Sequence, residues 1–333
     1  IFLYESGKHW RDGFSELHAG GLPDYPPLLP CAVARLWTWQ GGRNTLAPIA
    51  LSLLFTAAAM SATSAVAGII CGRTAAALSA ITLAASALFL AEGAAQQADV
   101  PIAFFLVLSF GGVAMIFYYP HGAPGSGAGW HLAGGMSIGW AAWTKNEGIM
   151  LLVALFAVLG FSAWRAGGWR FCLRIAGMWL AGALLPVAAL GHFKYAVAPA
   201  NEIAQSLNIN TLFMHLFDLN RHLCIWRVFL ERIFHHGQIA PLASIALVAI
   251  IMRHRWSGAL APPARWVLMA FVIIAAAYYG VYLITPYDLA WHLRTSVERL
   301  LAQLWPLATL WFYMALAGCA ASLGNGQSPK SVA

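Results

Sequence analysis

The chain has 333 residues, 60% of them hydrophobic and only 9% charged, with a formal net charge of +7 and a mean hydropathy of +0.69. A soluble domain carries about 25% charged residues, so a soluble fold is excluded. Apolar runs recur along most of the length, and several approach the roughly 20 residues that cross a bilayer as a helix. The class is all-α: a polytopic transmembrane helical bundle.

In chain order, a polar stretch (Ile1 to Tyr25) comes first and ends in "PDYPPLLP". Ten hydrophobic segments follow, at 28–39, 45–71, 74–91, 101–119, 130–143, 149–164, 171–193, 236–252, 266–285 and 300–320. They predict nine to ten helices, since 28–39 and 130–143 are short for a full crossing. "HGAPGSGAG" (His121 to Gly129) reads as a flexible linker. The organisation is therefore 1–27, the remainder of a first outer loop; 28–193, a core transmembrane module; 194–235, an outer loop; 236–323, C-terminal transmembrane helices; and 324–333, a cytoplasmic tail. The chain opens on Ile1 rather than Met and shows no signal peptide, so further residues are expected upstream.

Orientation follows from the basic residues. If 28–39 is re-entrant and every later segment crosses, one face receives Arg73, Arg165, Arg170, Arg174, Arg253, Arg255, Arg265 and Lys330 and no acidic residue. That face is predicted to be cytoplasmic, in a bacterial inner membrane. The basic balance thus reports topology and gives no reason to invoke nucleic acid. The five cysteines show neither CxxC nor metal-ligand spacing, so neither a disulfide framework nor a zinc site is expected. His121, His131, His192 and His254 read as loop or interface residues. Tryptophans near segment ends suit an aromatic belt.

On the opposite face the polar residues gather. The stretches are "PDYPPLLP" with Asp24 and Tyr25, "AEGAAQQADVPIAFF" with Glu92 and Asp99, "TKNEG" with Lys145 and Glu147, and "TPYDLAWHLRTSVERLLAQ" with Asp288, His292 and Arg299. Each has an ordinary explanation. Thr144 and Glu147 have the spacing of a capping box, Thr285-Pro286 with Asp288 suggests another helix start, and Asp99 and Asp24 could be simple N-caps. Capping does not explain Lys145, because a cation at a helix N-terminus opposes the macrodipole; it would snorkel or pair locally with Glu147. Arg294 and Glu298, four apart, suggest a routine ion pair. Asp288, His292, Thr295, Arg299 and Gln303 share one stripe about 80° wide on a helix. A polar stripe entering a membrane helix faces a wet cavity or partner helices. The Arg/His set of 194–235 (Arg221, His222, Arg227, Arg232, His235, His236) reads as a solvated amphipathic helix near lipid headgroups.

"PDYPPLLP", "QQADVPIAFF", "TKNEG" and "DLAWHLRTSVERLL", in this order, resemble the GT-C superfamily of membrane glycosyltransferases. The similarity is greatest to bacterial relatives of protein O-mannosyltransferases and to the aminoarabinose transferases that modify lipid A. The resemblance covers most of residues 1–310. It implies a sugar donor on a polyprenyl phosphate, transfer on the periplasmic side to a lipid, glycan or protein acceptor, and inversion at the anomeric carbon. It also implies a carboxylate in the first outer loop, expected upstream of Ile1. Asp12, Glu16 and Asp24 remain from the later part of that loop, with Asp24 carried as the catalytic candidate, and the second acidic position matches Asp99. Arg299, helped by His292 and Lys145, is the candidate phosphate clamp, because arginine's planar fork binds phosphate oxygens in pairs. Tyr25, Glu147 and Asp288 complete the substrate-binding set. No cofactor is implied; no ligand constellation points to a metal, and divalent-metal dependence stays open.

Two other classes fit the same composition. An O-antigen ligase or polymerase would make Arg221, His222, His235 and His236 essential and Asp99 dispensable. A transporter or flippase would place its polar residues near the midplane of broken, repeated helices, whereas here they cluster at one interface.

Overall fold

The computed structural model describes residues 1–15, 23–118, 127–201, 209–235, 243, 246 and 264–317. Among these there are helices and no strand. A short helix α1 (Phe2–Glu5) and a 3-10 turn (Gly7–Phe14) precede α2 (Leu28–Gln40), α3 (Leu46–Cys71), α4 (Arg73–Ala84), α5 (Ala87–Ala94), α6 (Asp99–Tyr118) and α7 (Ala128–Thr144). After them come α8 (Asn146–Ala196), α9 (Ile209–Phe217), α10 (Leu219–His235), α11 (Ala264–Ile284) and α12 (Leu289–Ala317).

Five helices, α3, α6, α8, α11 and α12, are long and apolar enough to cross a membrane, or six if the α4–α5 pair, bent by 65°, is one broken span. Nine of the ten expected segments overlap these helices, but 74–91 divides between α4 and α5 and two others merge, so the described residues do not establish the expected nine to ten helices. Segments 149–164 and 171–193 join in α8, which breaks at Gly168, where φ is 74°; only glycine takes that conformation readily. Helices α2 and α7 have 13 and 17 residues and are as short as expected. Segment 236–252 lies outside the described residues.

Helix α6 is the innermost span, with 83% of its apolar window buried, packed among α3, α7 and α12. Small residues let the backbones approach, as membrane helices require when no hydrophobic drive separates them from lipid. A Cβ at Gly135 on α7 would lie 2.1 Å from the Trp179 carbonyl oxygen on α8, and one at Gly148 would lie 2.0 Å from the Ala141 carbonyl oxygen. Both contacts press α7 onto the two halves of α8, and Trp179, fully buried, fills the seam.

The two ends of the bundle differ. At one end Trp266 stacks on Phe117 and meets Phe161 edge-on, both at 5.7 Å, so the end of α6, the region of α8 before its break and the start of α11 come together. Exposed Arg165, Arg170, Arg174 and Arg265 sit at or next to this end, and Arg73 begins α4 on the same side. Arg253, Arg255 and Lys330 lie outside the described residues. At the other end are the first residue of α6, the α7–α8 turn, the last turn of α11 and the first half of α12.

Candidate active site

Asp99 is the first residue of α6 and is completely buried. Its carboxylate is turned away from its own helix and collects donors from two others. Lys145 Nζ donates to Oδ1 at 3.1 Å and Arg299 Nε donates to Oδ2 at 2.9 Å. Gln303 Nε2 forms a short bond to Oδ1, and the Tyr278 hydroxyl donates in turn to Gln303 Oε1. Residues 99, 145 and 299, remote in sequence, thus meet at one carboxylate. A buried charge is tolerated only when it is paired and hydrogen-bonded, and Asp99 is both.

Lys145 explains the oddity of "TKNEG". It is the single extended residue between α7 and α8, with φ −161° and ψ 155°, which aims its side chain inward, where only 5% of that side chain is exposed. There Nζ also pairs with Glu147 Oε1 at 2.9 Å. The expected Thr144–Glu147 capping box is not formed. Thr144 donates instead to the Trp140 carbonyl at 2.7 Å, and α8 begins without a side-chain cap. The N-cap position of α8 is taken by Lys145, so Thr144 and Glu147 do not hold the N-cap and N3 places a capping box needs, and the carboxylate goes to the lysine. Glu147 Oε2 is buried without a hydrogen-bond partner among the described residues, as is Glu92 Oε2. Glu92 lies within electrostatic reach of Asp99, Arg299 and Lys145.

Asp24 belongs to a second knot beside the first. Asn146 and Asn201 each donate an amide N–H to its Oδ2 at 2.6 Å. Lys194, from the end of α8, donates to the Asp24 main-chain oxygen through a short bond and to Asn146 Oδ1 at 2.7 Å. Asn146, next to Lys145, therefore ties the loop before α2 to the α7–α8 turn. Tyr25 follows, with Glu147, Asp24, Arg299 and Asp99 all in electrostatic reach. Burial, reinforced by Glu147 and Asp24, pushes its phenol well above the usual value.

The stripe on α12 divides. Arg299 and Gln303 reach Asp99. His292, half-buried, shares a hydrogen bond of 2.8 Å with the Thr285 hydroxyl and packs on Tyr282 at 5.0 Å. Thr295 is exposed and donates back to the Trp291 carbonyl. Asp288 is exposed and accepts from the Trp291 N–H at 2.8 Å, capping α12 outside the cluster. Glu298 takes Arg232 of α10 at 2.7 Å, a partner that i, i+4 spacing does not suggest.

The structure therefore brings together Asp99, Lys145, Glu147, Arg299, Tyr25 and, through Asn146, Asp24; it sets His292 at the margin and Asp288 beyond it. Sequence reasoning passed over Gln303 as a site residue, although it lay on the stripe. Lys194, Asn201 and Tyr278 gave no local signal at all.

Chemically, the cluster opposes three cations (Lys145, Lys194, Arg299) to three carboxylates (Asp24, Asp99, Glu147). Arg299 and Lys194 are both only partly buried. Asp99 fixes Arg299 through Nε, while 32% of that side chain stays exposed, which leaves it able to meet an anion as well.

No protein-family model matches the sequence, and neither does any curated protein. Among solved structures, the chain is similar to ArnT from Cupriavidus metallidurans bound to undecaprenyl phosphate. The TM-score is 0.51 at 18% identity, over 92% of this chain and 51% of that one. The apo state of the same ArnT gives 0.45 at 18% identity, over 92% and 50%. The chain spans about half the length of the structure it matches. At this identity the likeness shows the fold alone, one similar to that of ArnT.

Proposed function

We propose that this chain carries the donor-phosphate end of a membrane glycosyltransferase. The enzyme moves a sugar from a polyprenyl phosphate to an acceptor hydroxyl, with inversion, on the periplasmic side of a bacterial inner membrane. The observation that carries the reading is Arg299, held through Nε by a fully buried Asp99 while 32% of the arginine side chain stays exposed. The ArnT-like fold supports it, and so does the undecaprenyl phosphate bound to that ArnT.

In the reaction the acceptor oxygen attacks the anomeric carbon as the bond from that carbon to the donor phosphate oxygen breaks. The electron pair leaves on polyprenyl phosphate, whose growing charge needs a preorganised cation. Arg299 supplies the fork. Lys145 adds positive potential from behind, neutralised in the resting site by Asp99 and Glu147. With both oxygens bound, Asp99 is better suited to orienting Arg299 than to removing a proton. The acceptor proton passes to a carboxylate, and Glu147 and Glu92, each with an Oε2 uncommitted among the described residues, are the carboxylates able to receive it. Asp24, tied down by two amides and Lys194, shapes the entrance beside Tyr25. The ligase reading puts Arg221 and His222 at the centre of catalysis; here both fasten α10 to α11.

The test is transfer from a polyprenyl-phosphate sugar by the protein in liposomes. Arg299→Ala should lower turnover by about 10²–10³-fold, and Arg299→Lys should recover only part of it because it lacks the fork. Unchanged kinetics in a folded Arg299→Ala protein would remove the clamp.

A further inference from the structure

Helix α10 is turned the opposite way from a helix whose charges are solvated. Arg221 donates from Nε and a terminal nitrogen to the Tyr282 carbonyl at 3.2 and 2.7 Å. His222 shares a short hydrogen bond with the Tyr279 hydroxyl, and Arg232 pairs with Glu298. Ile225, between them, is completely buried. The cationic face is thus the one pressed on the protein.

The outward face is apolar. Leu219, Leu223, Trp226, Leu230 and Phe234 are 49–69% exposed and, at 3.6 residues per turn, fall within about 80° of the helix circumference. Exposed Asn220, Arg227 and Glu231 form a narrow polar edge beside that stripe. The helix has three sectors: one bonded to the bundle, one greasy, one polar. In α9, Phe213, Met214 and Phe217 are also largely exposed. A water-facing helix gains nothing from such a stripe, since each square ångström of apolar surface left in water forgoes about 25 cal/mol. A contiguous apolar face rimmed by polar residues marks an interaction surface.

We infer that α10, continued by α9, lies in the membrane interface with its apolar stripe in the acyl chains of the bulk phospholipid. The Asn220–Arg227–Glu231 edge then lies at the headgroups. The fastening points decide for lipid over a protein partner. Tyr282 and Leu283, which hold Arg221 and His215, are in the last turn of span α11. Glu298, which holds Arg232, stands less than two turns before the apolar half of span α12 that begins at Leu304. The two anchors are 11 residues apart on α10, about 16 Å, and both lie where spans meet the bilayer boundary. Trp226 and Arg227 are residue types that an interface selects, and an apolar stripe edged by polar residues suits a helix that lies in the interface plane. Through Arg232 and Glu298, this seating sets the depth of the α12 turn that carries Arg299. The placement stands whether or not the chain transfers sugar.

The experiment uses the protein in phosphatidylcholine nanodiscs, with native cysteines replaced by serine and bimane attached at one introduced cysteine. Leu223→Cys and Leu230→Cys should show blue-shifted emission, lose most of their fluorescence to doxyl-labelled phospholipid and resist iodide. Asn220→Cys and Glu231→Cys should show the reverse. All four side chains are exposed, so none disturbs the core. Iodide quenching at 223 and 230 would place the stripe in water. Insensitivity to both quenchers would place it under another protein surface. Either result overturns the inference.

Discussion

Replacing Asp99 by asparagine tests the logic of the cluster with almost no change of volume. Asp99 accepts from Lys145 and Gln303 on one oxygen and from Arg299 on the other. An amide can keep only one side, and its own N–H₂ must then face a donor. Removing one partner of a buried ion pair costs about 3–5 kcal/mol. Here Lys145 retains Glu147 at 2.9 Å and Arg299 is one-third exposed, so much of the stranded charge stays compensated or hydrated. We expect a loss of about 2–3 kcal/mol in thermal unfolding of the purified protein. Transfer should fall by about 10²-fold as Arg299 loses its anchor. The double variant Asp99→Asn/Arg299→Gln removes both charges and should be less unstable than the sum of its parts, with a coupling of about 1–3 kcal/mol. Parental melting of Asp99→Asn, or strict additivity in the cycle, would refute the claim that Asp99 holds the cation.

Three further outcomes follow from the same geometry. Gly148→Ala puts a methyl 2.0 Å from the Ala141 carbonyl oxygen, so the hairpin must open at a cost of about 3 kcal/mol, visible as lost monodisperse protein on size exclusion. Lys194→Met removes the bonds to Asp24 and Asn146; global stability should drop by only about 1 kcal/mol, while amide exchange at Asp24 and Tyr25 speeds up. Tyr25, with its phenol raised by burial and by Glu147 and Asp24, ionises first in the unfolded chain. Above the ordinary value of 10.0 the unfolded state therefore binds fewer protons, and stability falls as pH rises. Tyr25→Phe should flatten that alkaline decline in melting temperature, and parallel curves would count against a buried phenol.

What the sequence determined by itself is the class, the order of the apolar segments and the identity of most of the polar residues at the end of the bundle that carries Asp99. The reason is energetic: lipid demands long apolar runs, so every charge that interrupts one stands out, as Lys145, Asp99 and Arg299 did. Which groups meet was decided by the tertiary structure. Local rules offered Glu147 a cap with Thr144 and offered Glu298 the nearby Arg294. In the fold Glu147 joins Lys145 and Glu298 takes Arg232, because the packing of α8 and of α10 against α12 brings those partners within reach, and sequence spacing does not report it. The bond between Lys194 and Asp24 spans 170 residues, and no periodicity encodes such a closure. The faces of α10 followed the same rule: the sequence supplied an amphipathic helix, and only its attachment to Tyr282 and Glu298 fixed which side turns outward.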